Sequence, residues 1–329
     1  MLKVAVFDTK QYDIAGFEKY GKENDINFKF FDTKLTEDTV GLTRGSDAVV
    51  VFVNDTVNEK VINELCENGV KLIALRCAGF NNVDLKAAQG KIAVVRVPAY
   101  SPYAVAEHTM ALLLTSLRRI HKAYNRTREF NFSLNGLTGF DLHGKTIGVV
   151  GTGKIGKIFI NICKGFGMNV IAYDLYPDNN ADIKYVSLDE LFANSDIISL
   201  HCPLTADNKY LINKETIAKM KKGVYILNTS RGMLIDAEAL IEGIKEKKVG
   251  AACLDVYEEE NDIFFKDYSG HILQDDILAR LISMPNVIIT SHQAFLTEEA
   301  LDNIANTTAK NIKTFFDDGK CENEIAYKE

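Results

Sequence analysis

The chain has 329 residues, 47% of them hydrophobic and 25% charged, with a formal net charge of −7 and a pI near 5.5. Those proportions exclude a disordered or fibrous chain and leave room for two domains, each with its own core. An acidic balance offers no basic face to nucleic acid or to an anionic membrane surface, and no apolar stretch approaches membrane-spanning length.

The first strand, Leu2-Lys-Val-Ala-Val-Phe7, follows the initiating methionine directly, which leaves no room for a signal peptide and sets the expectation of a cytoplasmic protein. Apolar runs then alternate with helical patterns: strands over 3–7, 27–30, 48–53, 71–75 and 92–97, with a helix over 57–68 between the third and fourth. This alternation implies a parallel sheet. Thr56-Val-Asn-Glu59 reads as a capping box opening that helix, and Gly69 closes it. The turn Arg76-Cys-Ala-Gly79 falls at the carboxyl end of a strand, where open α/β sheets bind ligands. In Val97-Pro-Ala-Tyr100-Ser-Pro102, Ser101 is able to cap and Pro102 suits the first position of a long helix reaching the mid-120s. The domain boundary is expected here, giving one domain from 1–100 with 296–329 and a second over 101–295. The basic run Arg118–Lys122 reads as a solvated helix end, and 130–143, rich in Asn, Gly, Ser and Thr, as an irregular connector.

Lys145-Thr-Ile-Gly-Val-Val-Gly151-Thr-Gly153-Lys-Ile-Gly156 organises the rest. A buried strand ending at Val150 and a helix opening near Lys154 aim unpaired N–H groups and a positive dipole end at the space above the turn, which a pyrophosphate would fill. Gly151 permits the turn, Gly153 removes a Cβ that would block phosphates, and Gly156 lets the helix close on the strand. The helix ends at Gly167, and a second strand, Asn169–Tyr173, ends in Asp174, where a ribose 2′-hydroxyl would be bonded and a 2′-phosphate repelled. The cofactor read from this is NAD rather than NADP. A capping box at Ser187–Glu190, strands over 196–200, 223–228, 250–254 and 286–290, and helices over 214–220 and 237–247 bring this sheet to roughly six parallel strands. The last helix, capped by Thr297 with Glu298 and Glu299 in its first turn, runs toward Phe315–Phe316 and is expected to cross back to the first domain.

Four of these strands end in polar groups: Leu200-His201-Cys202-Pro203, Asn228-Thr-Ser-Arg231, Leu254-Asp255-Val-Tyr-Glu258-Glu-Glu260 and Thr290-Ser-His292-Gln-Ala-Phe295. In an open parallel sheet the ends share an edge with the glycine loop, so arginine, carboxylate and histidine can sit beside NAD. That trio suits a 2-oxo acid. A guanidinium binds the substrate anion in fixed geometry, an imidazolium gives a proton, a carboxylate orients the imidazole and favours its charged form, and the nicotinamide supplies hydride. Each residue also has a plainer reading. One among the histidines His108, His121, His143, His201, His271 and His292 is ordinarily a satisfied surface or core imidazole, Arg231 could pair with Asp255, and spacing cannot choose among Glu258, Glu259 and Glu260. The six cysteines (Cys66, Cys77, Cys163, Cys202, Cys253, Cys321) lie apart, without metal-type pairing, and read as reduced core thiols.

The motifs Val97–Pro102, Gly151–Gly156, His201–Thr205, Asn228–Gly232, Asp255–Glu258 and Ser291–Phe295 together resemble those of the D-isomer-specific 2-hydroxyacid dehydrogenases, over essentially the whole chain and nearest to the fermentative members that act on lactate. The resemblance implies a flavodoxin-like substrate domain and a Rossmann NAD-binding domain with a cleft between them. It places the family's catalytic residues on Arg231, Glu260 and His292. Its cofactor contacts fall on Gly151, Gly153, Lys154, Ile155, Gly156, Asp174, Cys202, Pro203, Asn208, Thr229, Ser230, Arg231 and Asp255. Its substrate contacts fall on Ala78, Gly79, Tyr100, Arg231 and Phe295, and it implies a homodimer or homotetramer joined through the helix after Pro102. Ser291 stands where many members have proline. Two rival readings share the scaffold: a dehydrogenase of a larger D-2-hydroxy acid, against which Phe52, Tyr100 and Phe295 would by analogy line a small pocket, though all three could equally be core aromatics, and an NAD-sensing regulatory protein. The compact chain, without a long disordered or basic extension, argues against the second.

Overall fold

A computed structural model describes residues 1–260 and 263–327. The chain divides into two units, Met1–Ser101 with Leu296–Glu329, and Pro102–Phe295. In chain order the first unit contributes β1 (Leu2–Val6), α1 (Gln11–Asn24), β2 (Ile26–Phe30), β3 (Ala48–Val51), α2 (Glu59–Glu67), β4 (Leu72–Leu75), α3 (Leu85–Ala88) and β5 (Ala93–Arg96). These strands form one parallel sheet in the order β2-β1-β3-β4-β5, a flavodoxin-like winding. Every residue of β3 and β4 is buried, as strands covered on both faces require. The helix over 57–68 starts later than its apparent capping box. Asn58, not Thr56, is the N-cap, its side chain accepting from the Val61 N–H at 3.0 Å, because Val57 and Thr56 are held extended by backbone bonds to Asn82 and Leu35.

The second unit runs α4 (Pro102–Arg118), α5 (Ile120–Arg128), β6 (Thr146–Val150), α6 (Lys154–Gly165), β7 (Asn169–Tyr173), β8 (Lys184–Tyr185), α7 (Leu188–Asn194), β9 (Ile197–Leu200), α8 (Lys214–Lys219), β10 (Val224–Asn228), α9 (Ala237–Lys245), β11 (Val249–Leu254), α10 (Asp276–Ser283) and β12 (Val287–Ile289). Its sheet has seven parallel strands, ordered β12-β11-β10-β9-β6-β7-β8. The strand beyond the expected six is β8, only two residues long and too short to leave a periodic signal. The winding reverses between β6 and β9, so the carboxyl ends of these two strands flank the crevice where such sheets take a ligand.

Pro102 is the first helical residue of α4, but the expected single helix to the mid-120s is broken at Arg119, which sits in the left-handed region at φ 52°. The two halves differ in environment. Nine of the seventeen residues of α4 are buried, whereas none of α5 is, so α4 packs into the core while the chain turns away along a solvent-facing segment. The run Arg118–Lys122 is therefore split between two helices, and Lys122 bonds the Pro285 carbonyl from the first turn of α5. The final helix, α11 (Glu298–Asp318), is capped by Thr297 and ends at Gly319 with φ 73°. It belongs to the first unit. Ala305, Ala309 and Ile312 pack into that unit's core, and a Cβ on Gly16 of α1 would lie 2.9 Å from the Ala305 methyl. The six cysteines are free thiols, with Cys77, Cys163 and Cys253 buried and the others half-buried. Among the described residues no helix is long and apolar enough to cross a membrane.

Candidate active site

The glycine loop joins β6 to α6, and its three glycines do three different things. Gly151 has φ 94°, and a Cβ there would sit 2.7 Å from the His201 carbonyl and the Cys202 nitrogen, so it lets the loop press against the end of β9. At Gly156 a Cβ would fall 2.0 Å from the Gly151 carbonyl oxygen, which is the close approach of helix to strand. A Cβ on Gly153 would meet nothing within 4 Å. This glycine is the N-cap of α6 and supplies no side-chain cap, so the first-turn N–H groups, from Lys154 (exposed) and Ile155 (half-buried) onward, face an open space. Backbone donors, a helix dipole and room kept by a missing Cβ fit the pyrophosphate of NAD.

Asp174 follows β7 directly. Its Oδ2 accepts from the Thr152 N–H at 2.6 Å and from the Thr152 hydroxyl at 2.9 Å, and its Oδ1 accepts from the Tyr176 N–H at 2.9 Å. Burial alone would push this carboxyl up, but the N–H groups of Thr152 and Tyr176, the Thr152 hydroxyl and the nearby Lys157 outweigh it and hold it below its ordinary value. The charge expected to meet a ribose hydroxyl thus also fixes the glycine loop. After β9, Asn208 ties its own turn, donating to the Pro203 carbonyl at 2.8 Å, while Cys202 is half-buried beside it. Burial pushes the Cys202 thiol up to about 11, so it stays protonated at neutral pH. The His201 ring lies tilted against Phe159 with centroids 4.8 Å apart, its Nε2 is 2.8 Å from the Ser199 hydroxyl oxygen, and its Nδ1 is buried; burial drives this imidazole well below its ordinary value.

The turn after β10 is held from within. Asn228 donates to the Arg231 carbonyl at 2.8 Å and accepts from the Ser230 N–H at 3.0 Å, while the Ser230 hydroxyl donates to the Leu200 carbonyl. Gly232 lies so near the Tyr257 carbonyl that a Cβ would be 2.1 Å from its oxygen, which docks this turn on the one after β11. Among the described residues the Arg231 guanidinium engages only the Ser230 carbonyl, through Nη1 at 2.7 Å, and it makes no ion pair with Asp255. The rest of its fork is free for a carboxylate.

Asp255, at the end of β11, is wholly buried and organises the turn that carries His292. Its Oδ1 accepts from the Thr290 hydroxyl at 2.5 Å and the Gln293 N–H at 2.9 Å, its Oδ2 from the Ala294 N–H at 2.9 Å, and its backbone carbonyl from the His292 N–H at 2.7 Å. Burial raises this carboxyl, but His108, Thr290 and the two amides reverse the effect and hold it below its ordinary value. His292 itself has φ 52°, a left-handed conformation costing about 1–2 kcal/mol for a non-glycine residue. The three consecutive amide donations to Asp255, each worth about 1 kcal/mol or more, offset it. The result aims the imidazole at Glu260: Nδ1 lies 2.7 Å from Oε1, while Oε2 accepts from the Tyr257 N–H at 2.9 Å. An ionised carboxylate only accepts, so Nδ1 carries a proton and Nε2 is the nitrogen left to exchange one. Glu258 is drawn away to the Tyr210 hydroxyl at 2.8 Å, and Glu259 is exposed. Geometry therefore separates the three glutamates that spacing could not.

In the first unit the expected substrate residues stand at the carboxyl edge of the sheet. The N–H groups of Ala78 and Gly79 make no hydrogen bond among the described residues, while the Ala78 carbonyl accepts from Arg96 at 2.8 Å. Tyr100 is half-buried and its carbonyl accepts from Asn303 of α11. Phe52 is buried with its ring 4.0 Å from the Arg76 guanidinium, and Phe295, in the other unit, is also buried. A cavity of about 550 Å³ lined by Cys66, Lys71, Lys91 and Phe315 opens at the opposite, amino-terminal edge of this sheet, so cavity size does not locate the chemistry. The functional residues that sequence reasoning passes over are those behind the turns, Thr152, Tyr257, Thr290 and His108, whose only signal is the partner each meets in space.

Known proteins carry the same plan. Residues 110–294 match the family described as D-isomer specific 2-hydroxyacid dehydrogenase, NAD binding domain. The chain is 54% identical to a 2-hydroxyacid dehydrogenase homolog of Haemophilus influenzae over 98% of its length and 99% of that protein's. It is 51% identical to the D-lactate dehydrogenase of Escherichia coli over 98% of its length and the whole of that protein's. The apo structure of the Escherichia coli D-lactate dehydrogenase superposes with a TM-score of 0.91 at 49% identity, covering 99% of this chain and 100% of that one. With the NAD-binding loop, the histidine–glutamate pair and the arginine turn on one sheet edge, the chain belongs to the D-isomer-specific 2-hydroxyacid dehydrogenases and is an NAD-dependent oxidoreductase.

Proposed function

We propose that this chain reduces pyruvate with NADH to give D-lactate and NAD, reversibly. The observation that carries the reading is the His292–Glu260 pair at 2.7 Å, set on a left-handed turn and next in strand order to the Arg231 turn. Bound NADH supplies the hydride. Gly151, Gly153 and Gly156 with the N–H groups of Lys154 and Ile155 would hold its pyrophosphate, Asp174 would hold the adenosine ribose, and Cys202, Pro203, Asn208, Thr229, Ser230 and Asp255 would hold the remainder. Arg231 holds the substrate carboxylate through two parallel N–H···O bonds, which fixes which face of the carbonyl is presented. His292 gives its Nε2 proton to the carbonyl oxygen as that oxygen gains charge, and Glu260 retains the Nδ1 proton and steadies the ring. In the lactate direction Nε2 takes the hydroxyl proton back.

The unit formed by the first hundred residues and the C-terminal helix is the substrate domain, and the contacts it offers are the amides of Ala78 and Gly79 and the Tyr100 side chain. The protein acts in the cytoplasm as a homodimer or homotetramer. Support for pyruvate over a bulkier acid comes from the Escherichia coli relative, named for lactate and similar over its full length. Following NADH oxidation at 340 nm with pyruvate, 2-oxoisocaproate and hydroxypyruvate tests the reading. The highest kcat/KM falls to pyruvate; a preference for 2-oxoisocaproate would assign the larger substrate, and binding of NADH without turnover of any 2-oxo acid would assign a sensor.

A further inference from the structure

Two adjacent residues of α4 reach two different catalytic turns. His108 Nε2 lies 3.2 Å from the Thr290 hydroxyl oxygen and 3.4 Å from Asp255 Oδ1. The direction of this chain is fixed by counting protons. Thr290 has one hydroxyl hydrogen, and it goes to Asp255 at 2.5 Å. Toward His108, Thr290 therefore accepts, and Nε2 of His108 carries the hydrogen. Thr109, the next residue, donates its hydroxyl hydrogen to the Val105 carbonyl at 2.7 Å, so in its 2.8 Å contact with Thr229 it is Thr229 that donates. Thr229 is two residues before Arg231, and Asp255 holds three consecutive amides of the His292 turn. Thr109 is wholly buried, His108 mostly so, and α4 also meets β11, the strand between β10 and β12, where the Cys253 thiol approaches the Leu112 carbonyl at 3.7 Å.

We propose that His108 and Thr109 are positioning residues for the reaction, a two-point clamp on α4 that fixes the His292 turn relative to the Arg231 turn. The proposal rests on the reading of Arg231 and His292 given above. Neither clamp residue is itself assigned a contact with substrate or cofactor; His108 acts through Thr290 and Asp255, and Thr109 through Thr229. Such a device suits a site whose proton donor stands in a left-handed conformation on one strand end and whose anion anchor stands on another, because a misplacement near 1 Å between two such groups lowers a rate about 10²-fold.

The test uses the full-length protein and four variants, H108F, H108Q, T109V and T109S, with the primary deuterium isotope effect measured on kcat using NADH labelled at the transferred position. H108F and T109V remove a polar group at nearly constant volume; H108Q and T109S keep a donor or hydroxyl in place. The clamp predicts that H108F and T109V each lower kcat about 10- to 100-fold, with KM for NADH changed less than about threefold. It predicts a larger isotope effect as the chemical step becomes limiting, and recovery to within about fivefold of wild type in H108Q and T109S. A merely structural role lowers the active fraction and leaves the isotope effect where it was; that result, a kcat within twofold of wild type, or conservative variants no better than the apolar ones would each overturn the clamp. Failure of the clamp leaves wild-type pyruvate turnover intact, whereas failure of the underlying reading shows as a wild type that prefers another 2-oxo acid, on which the clamp is then measured. A wild type that reduces none overturns both.

Discussion

Gly153→Ala separates the loop's role in folding from its role in binding. The backbone at Gly153 has φ −65°, which alanine adopts freely, and its Cβ would meet no atom of the protein within 4 Å. Stability should therefore change little: an N-cap glycine replaced by alanine loses at most about 1 kcal/mol, or a few degrees in Tm. The added methyl instead enters the space over the first turn of α6, where the pyrophosphate is proposed to sit. Pushing the phosphates off one charge-assisted amide bond removes about 1.5–3 kcal/mol, which at 1.4 kcal/mol per decade is roughly a 10- to 150-fold rise in Kd for NADH. Gly156→Ala is the contrast. Its Cβ would lie 2.0 Å from the Gly151 carbonyl oxygen, so it should lower Tm sharply whether or not NADH is present. Calorimetric titration with NADH and thermal melts of both variants decide the matter. An unchanged Kd in a normally folded Gly153→Ala protein would show that nothing anionic lies over that residue.

Arg231→Lys keeps the charge but loses the two-pronged fork, so kcat/KM for pyruvate should fall at least about 10²-fold while the Kd for NADH moves much less; near-normal turnover would remove Arg231 from the substrate. In Glu260→Gln the Tyr257 N–H requires an oxygen, which turns the amide NH₂ toward His292 Nδ1 and makes that nitrogen an acceptor. The imidazole is then held neutral with its remaining proton on Nε2, and kcat for pyruvate reduction should drop about 10²- to 10⁴-fold by analogy with carboxylate-to-amide changes in other histidine pairs; steady-state kinetics with retained NADH binding checks this, and a loss under tenfold would show that Glu260 is not the partner. The Asp255 carboxyl is held below its ordinary value in the folded chain, so its contribution to stability is fully present above the unfolded value of about 3.9 and is lost as pH falls through the lower, folded value. Asp255→Asn, which must face one amide donor with another, should lower stability by about 1–3 kcal/mol at neutral pH and flatten its dependence below about pH 4. Urea melts at a series of pH values report both, and an acid limb identical to wild type would mean the lowered carboxyl is not Asp255.

What the sequence could tell tracks the range of the interactions involved. Alternation of buried runs announces two parallel sheets because a strand covered on both faces has no polar positions, and Gly151, Gly153 and Gly156 announce themselves because no other residue satisfies all three local demands. The break at Arg119 carries no glycine or proline; burial differs on its two sides, and that is a property of the packed chain. The run Glu258, Glu259, Glu260 offers three equal carboxylates until the turn directs one to Tyr210 and another to His292. His108 reads as an ordinary histidine on an apolar helix because the hydroxyl that gives it a task lies 182 residues away. Asp255 was legible as a polar residue ending a strand, yet its hold on three successive amides depends on the path of Ser291–Phe295, which folding alone defines.

The central claim, that this site delivers hydride and proton to pyruvate with one handedness, is tested most directly by reducing pyruvate with NADH deuterated at the transferred position and assigning the chirality of the product. The account predicts D-lactate carrying one deuterium at carbon 2, formed only when pyruvate and NADH are both present. L-lactate, unlabelled lactate or no lactate at all would contradict it.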